Sequence, residues 1–266
     1  MSCARVKAGA ESKINESKVT ESGVTGNMVN GEDENILADV LTRAEIPNDM
    51  AQAIMQSSAE SFDFIINLLI CLDGDPYLRF LVDKQHPLPH GYEPSDLCVL
   101  SAVNEDYRVG RSGLMLRKAA ADSLSQMAAA ARADGITLVA SSAYRSYSYQ
   151  EEVYSRNVRQ MGQEAADRES ARPGHSQHQT GLVVDFGSID DSFAATPAGK
   201  WMSANASRFG WSLSFPDGYE QVTGYRWESW HYRYVGIDLA AFIDTYFAGV
   251  QQYALRFIHE WGHYER

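Results

Sequence analysis

The stretch Pro173-Gly174-His175-Ser176-Gln177-His178-Gln179-Thr180-Gly181-Leu182-Val183-Val184-Asp185 changes character at its glycine. Before Gly181 it is polar, with two histidines. After Gly181 comes a short aliphatic run that ends on a carboxylate. Glycine lets the chain bend into the run that follows, which reads as a strand over 182–186 with Asp185 near its far end. A histidine and an aspartate separated by a turn and a short strand can converge on one ion. A third ligand has to come from elsewhere in the chain.

The best candidate lies downstream, in Trp227-Glu228-Ser229-Trp230-His231-Tyr232. His178, Asp185 and His231 together would leave a tetrahedral zinc one open position, the arrangement of catalytic sites. Glu228 precedes His231 by three residues. In extended chain the two would point to opposite faces, so a local bend is needed to bring both to the metal. A carboxylate there can take a proton from water and return it to a leaving amine. Upstream, Ser142-Ala143-Tyr144-Arg145-Ser146 offers Arg145 as a fixed cation for a carbonyl oxygen or a terminal carboxylate. Singly, each residue has an ordinary structural explanation: a satisfied core histidine, a strand-end cap, half of an ion pair.

In combination, the three segments resemble the zinc D-alanyl-D-alanine and L,D-carboxypeptidases of the VanY and LdcB type, whose metal site is shared with lysostaphin and hedgehog folds. The family pattern is Tyr-Arg-Ser, then Ser-x-His-x-x-Gly-x-x-x-Asp, then Glu-x-x-His. It appears here in that order as Tyr144 to Ser146, Ser176 to Asp185 and Glu228 to His231. The likeness covers roughly residues 80 to 240. It implies one zinc per chain held by His178, Asp185 and His231, Glu228 as general base and acid, and Arg145 as oxyanion stabiliser. Ser176 and Gln150 take the substrate-contacting positions. Trp230 is expected to pack behind the metal. His175 stands where many relatives have tyrosine. The implied activity is removal of a terminal D-alanine from peptidoglycan stem peptides, in an L,D or a D,D version that the shared motifs do not separate. A non-catalytic zinc-containing cell-wall recognition module and a peptidoglycan endopeptidase are the alternatives. Glu228 and Arg145 both being present favours an enzyme.

His259-Glu260-Trp261-Gly262-His263 also matches the His-Glu-x-x-His helix of zinc proteases. Those enzymes take a third ligand from further along, and only Tyr264, Glu265 and Arg266 follow. The match reads as coincidence on a terminal helix.

Around these segments the chain alternates helices and strands without a regular βαβ rhythm, which indicates α+β: a small antiparallel sheet carrying the site, flanked by helices. Helices are expected over 50–72, 114–133, 149–161, 163–171, 201–209 and from about 239 onward. Strands are expected over 136–143, 182–186 and 211–215, with 228–235 extended and 82–98 a loop. Residues 1–33, rich in Ser, Lys, Glu, Gly and Asn, read as a disordered tether. Ile36, Leu37, Val40 and Leu41 then recur at helical spacing and open an N-terminal helical cap over 34–80. The carboxypeptidase domain follows over 81–266.

The 266 residues carry a formal charge of -12, which argues against a nucleic-acid partner. No apolar run approaches the roughly 20 residues of a membrane span. Three cysteines, Cys3, Cys71 and Cys98, are too few and too odd in number for a disulfide framework. Cys3, ahead of the polar tether, suggests a lipid anchor and with it a place in the cell envelope.

Overall fold

The computed structural model describes residues 31–61 and 63–264. Residues 1–30, including Cys3 and most of the expected tether, lie outside them, as do Glu265 and Arg266. The last residues of that expected tether open the first helix, α1 (Gly31–Arg43). Leu37, Val40 and Leu41 recur on one face of it and are buried. Where a single helix is expected over 50–72, two form: α2 (Asn48–Ser61) and α3 (Asp63–Asp73). The serines that close α2 compete for backbone hydrogen bonds, and Asp63 in α3's first turn suits a new helix start.

Short strands follow that periodicity did not reveal. They are β1 (Leu97–Val99), β2 (Tyr107–Val109) and β3 (Met115–Arg117). β3 takes the first residues expected of a helix, because Leu97 to Val99 pair with them in a separate antiparallel ribbon. Then come α4 (Lys118–Ala133), β4 (Leu138–Ser142), α5 (Tyr147–Met161), α6 (Gln163–Glu169) and β5 (Val183–Phe186). The Ser146 hydroxyl caps α5 by accepting from the Tyr149 N–H at 3.2 Å. The chain continues through α7 (Pro197–Asn205), β6 (Trp211–Leu213), a single turn α8 (Glu220–Thr223) and β7 (His231–Tyr234). It ends in α9 (Ile237–Tyr246) and α10 (Gln251–Trp261), broken apart at Ala248 and Gly249, both at positive φ.

The main sheet has five strands in the order β2-β4-β5-β7-β6. Its only parallel pair is β2 with β4; the ladders from β4 to β6 are antiparallel. Alternation sorts the residues by face. Val184 and Phe186 of β5 and Tyr232 of β7 join Leu124, Met127 and Met202 from α4 and α7 in one apolar core. Asp185 and His231 point the other way, directly opposite each other in the β5–β7 ladder. A second core unites α1–α3 with α9 and α10 around Phe64, Phe242, Phe247 and Phe257. Cys71 and Cys98 are both free thiols.

Candidate active site

The register of three strands builds the site. Asp185 is opposite His231 on one side and opposite Ser142 on the other. Ala140 pairs with Phe186 in the core, so Ser142 would face the same way but for a register shift between the two. That bulge turns the end of β4 onto the site face and aims the next segment, with Arg145, at Asp185. Arg145 Nη2 donates to Asp185 Oδ2 and to Ser142 Oγ, each at 3.0 Å. Its Nη1 reaches Gln150 Oε1 at 3.4 Å.

His178 enters from a one-turn 3-10 helix, Gln177–Thr180, that stops at Gly181 with φ 71°. A Cβ at Gly181 would lie 2.9 Å from Arg117 Cγ and 3.0 Å from Leu97 Cδ2, so the turn needs glycine for conformation and for space. The His178 ring is fixed from behind: its Nδ1 sits 2.7 Å from the Ala143 carbonyl. A carbonyl can only accept, so Nδ1 carries the hydrogen and the Nε2 lone pair faces Asp185 Oδ2, 3.2 Å away. His231 is held the opposite way round. Its Nε2 lies 3.2 Å from Gln177 Oε1, leaving Nδ1 to face Asp185 Oδ1 and Glu228 Oε2, each at 3.3 Å. Glu228 reaches that place because residues 228–231 form a turn, closed by the His231 N–H on the Glu228 carbonyl at 3.3 Å. This is the bend that an extended 228–235 segment lacked; the strand proper starts only at His231.

Ligand atoms of His178, Asp185 and His231 all lie within 4.8 Å of one another, and all three residues are buried. Asp185 Oδ1 is buried with no hydrogen-bond partner, since the nearby His231 nitrogen has the distance without the direction. An orphaned carboxylate oxygen among imidazole nitrogens fits a cation. The donor chemistry, two imidazoles and a carboxylate, suits zinc. Electrostatics agree. Burial pushes His178 down to about 4, helped by the charge of Arg145, so it is neutral and ready to ligate. Burial alone would raise the Asp185 carboxyl, but His178 and His231 outweigh it and hold it well below the usual range. For His231 burial works downward and is overcome by Asp185 and Glu228, which lift it to about 9.

These side chains line a cavity of about 290 Å³. Ser176 and Gln150 are in its wall. The Gln150 amide is engaged at both ends, accepting from Arg145 and donating to the Ala171 carbonyl at 2.7 Å. Trp230 belongs both to the apolar core and to the cavity wall. His175 also faces the cavity and ties its Nδ1 to the Asp83 carbonyl at 2.8 Å, away from the three-donor set. Gln177, which orients His231, and Tyr225, whose buried hydroxyl has no partner, were not legible beforehand. Gln177 is next to His178 in the motif, but nothing in its spacing says which ring it will meet.

Three protein donors beside a carboxylate, facing a cavity on an α+β sheet, define the mononuclear metallopeptidase type of site. Comparison with known proteins gives the family. Residues 113–237 match the VanY profile, described as D-alanyl-D-alanine carboxypeptidase. YodJ of Bacillus subtilis is 38% identical over 179 residues, 65% of either chain. A D-alanyl-D-alanine carboxypeptidase of Enterococcus faecalis is 30% identical over 63% of this chain and 62% of its own length. The chain thus spans under two thirds of the length of these curated relatives. Among solved structures, the LD-carboxypeptidase LdcB is 37% identical with a TM-score of 0.55, covering 64% of this chain and 85% of that one. A zinc-complexed variant of the D,D-pentapeptidase VanY is 31% identical with a TM-score of 0.56, covering 66% and 98%. The protein belongs to the VanY family.

Proposed function

We propose that the protein is a zinc carboxypeptidase that hydrolyses the bond before a terminal D-alanine in peptidoglycan stem peptides. The observation that carries this is the buried His178–Asp185–His231 set with an orphaned oxygen at its centre and Glu228 alongside. His178 Nε2, Asp185 and His231 Nδ1 would hold the metal. A bound zinc supplies a Lewis acid for the scissile carbonyl and lowers the cost of deprotonating water. Glu228 Oε2 takes the proton of the attacking water and passes it to the departing amine nitrogen, which would otherwise leave as a poor anion. Arg145, held in the wall by Ser142, Asp185 and Gln150, steadies the oxyanion or the terminal carboxylate. Ser176 offers a hydroxyl to the peptide, and Gln150 offers its remaining N–H while positioning Arg145.

The L,D version is the one to test first, since LdcB is 37% identical and VanY 31%. Tri-, tetra- and pentapeptide stems, incubated with zinc-loaded protein and followed by mass, test it. Loss of one alanine from the tetrapeptide, with the tripeptide untouched, is expected. Cleavage of the pentapeptide alone makes it a D,D enzyme, and no cleavage of any stem overturns the activity. Such a substrate places the protein at the cell envelope, and we infer a lipid anchor on Cys3. A thioether-linked diacylglyceryl group on that residue, sought by mass spectrometry of native protein, tests the anchor; an unmodified thiol refutes it.

A further inference from the structure

The fold brings a further imidazole, His86, up to the His-Glu-x-x-His stretch over 259–263. Ligand atoms of His259, Glu260 and His263 lie within 4.8 Å of one another. The His86 ring stands against this group, with centroids 5.1 Å from His259, and His259 stands 4.9 Å from His263. Two imidazoles on one tetrahedral zinc, each bonded at about 2.0–2.1 Å, place their centroids roughly 5 Å apart. The proposed catalytic pair, His178 and His231, shows 4.9 Å. The His86–His259 and His259–His263 pairs are each spaced as two ligands of one zinc would be.

Its parts are also held in place. Asp83 is buried, and its Oδ1 accepts from the His86 Nδ1 at 2.8 Å and from the backbone N–H groups of Gln85 and His86. A carboxylate only accepts here, so Nδ1 keeps its hydrogen and Nε2 is left as the donor, the carboxylate–histidine arrangement common behind metals. The other oxygen, Asp83 Oδ2, accepts from Gln252 Nε2 of α10 at 2.7 Å. The 83–86 segment is thus already fastened to the helix that carries His259. Burial, with the two neighbouring imidazoles, shifts His259 below its ordinary value.

We propose that His86, His259 and His263, with Glu260, form a second metal site at the surface, taking a divalent transition ion of the imidazole-preferring class such as zinc. Its place has a consequence. The Asp83 carbonyl holds the His175 ring in the wall of the catalytic cavity. A metal clamping His86 to α10 stiffens that wall from outside. The site does not depend on the proposed peptidase activity.

Titration of the full metal-free chain with zinc chloride, followed calorimetrically and by metal analysis, tests it. Two equivalents are expected, one tight and one weaker. Asp185→Ala should lose the tight equivalent and keep the weaker one. His259→Ala should lose the weaker one, and His86→Ala should weaken it at least ~10-fold, with the tight equivalent intact in both. A magnesium titration should leave the weaker site unfilled, since hard cations favour oxygen donors. A single equivalent in the wild-type chain overturns the proposal. So does a second equivalent that survives both His86→Ala and His259→Ala.

Discussion

Glu228 and His231 share one turn, and that turn separates their duties. The three-donor set closes without Glu228, whose Oε2 stands 3.3 Å from His231 Nδ1. Glu228→Gln should therefore keep zinc and fold while losing ~10²–10⁴-fold in turnover, the usual cost of removing a general base. Release of zinc by this variant would make Glu228 a ligand. His231 gives a pH prediction. Metal-free, it stays protonated up to about 9, and zinc requires the neutral ring. Between about 4, where His178 begins to take its own proton, and about 9, zinc must displace this proton, so one proton per zinc is released near pH 7 and apparent affinity falls tenfold per pH unit on acidification. His178, already neutral above about 4, adds nothing in that window. Calorimetry in buffers of different ionisation enthalpy counts the protons; a count of zero would mean that His231 is neutral before zinc arrives. At this scale the convergence of His178, Asp185 and His231 was legible, because the motif fixes residue types and order. Gln177 and the Ala143 carbonyl were not. A second partner on a histidine ring comes from whichever atom the fold brings behind it, and in one case that is backbone.

The elements divide by how much of their stability is local. α5 and α6 begin and end close to their expected places because caps and periodicity are written in adjacent residues, as with Ser146 on α5. β1 and β2 leave no sequence signal because three-residue strands carry no periodicity. β3 reads as helix in the sequence because its pairing with Leu97 to Val99 lies some twenty residues away. The β4 bulge matters most to the site and leaves no sequence signal: Ser142 and Ala140 look alike in pattern, yet face opposite ways. Gly181 tests the junction that aims His178. Gly181→Ala forces φ 71° on an alanine whose Cβ meets Arg117 Cγ at 2.9 Å. A cost of about 1–3 kcal/mol is expected, seen as a lower denaturation midpoint together with weaker zinc binding. A midpoint unchanged from wild type would show that the turn relaxes without strain.

At the scale of the whole molecule, the α+β class and the site-bearing antiparallel ladders follow from the sequence, but where the chain divides does not. A helical cap over 34–80 is natural to sequence reading, because its apolar periodicity is self-contained. In the fold Leu37, Val40, Leu41, Ile54, Phe64 and Leu68 share one core with Phe242, Phe247 and Phe257 from the other end of the chain. Phe64 meets Phe242 at 5.2 Å, Tyr246 at 4.9 Å edge-on and Phe257 at 5.3 Å. Arg233, wholly buried on β7 two residues beyond His231, gives its Nη2 to the carbonyls of Leu78 and Phe80. Removing residues 1–80 would strip those acceptors from a buried cation and uncover an aromatic face. Each large apolar side chain returned to water costs about 1.5–3 kcal/mol, so a few suffice to consume the 5–15 kcal/mol typical of a domain. A chain starting at Leu81 should thus aggregate or expose dye-binding apolar surface, and lose zinc as β7 loosens. One starting at Gly31 should keep wild-type stability and zinc, since α1 then remains whole. If the chain from Leu81 unfolds cooperatively at the wild-type midpoint with zinc bound, α1–α3 are a separable unit and the shared core contributes little.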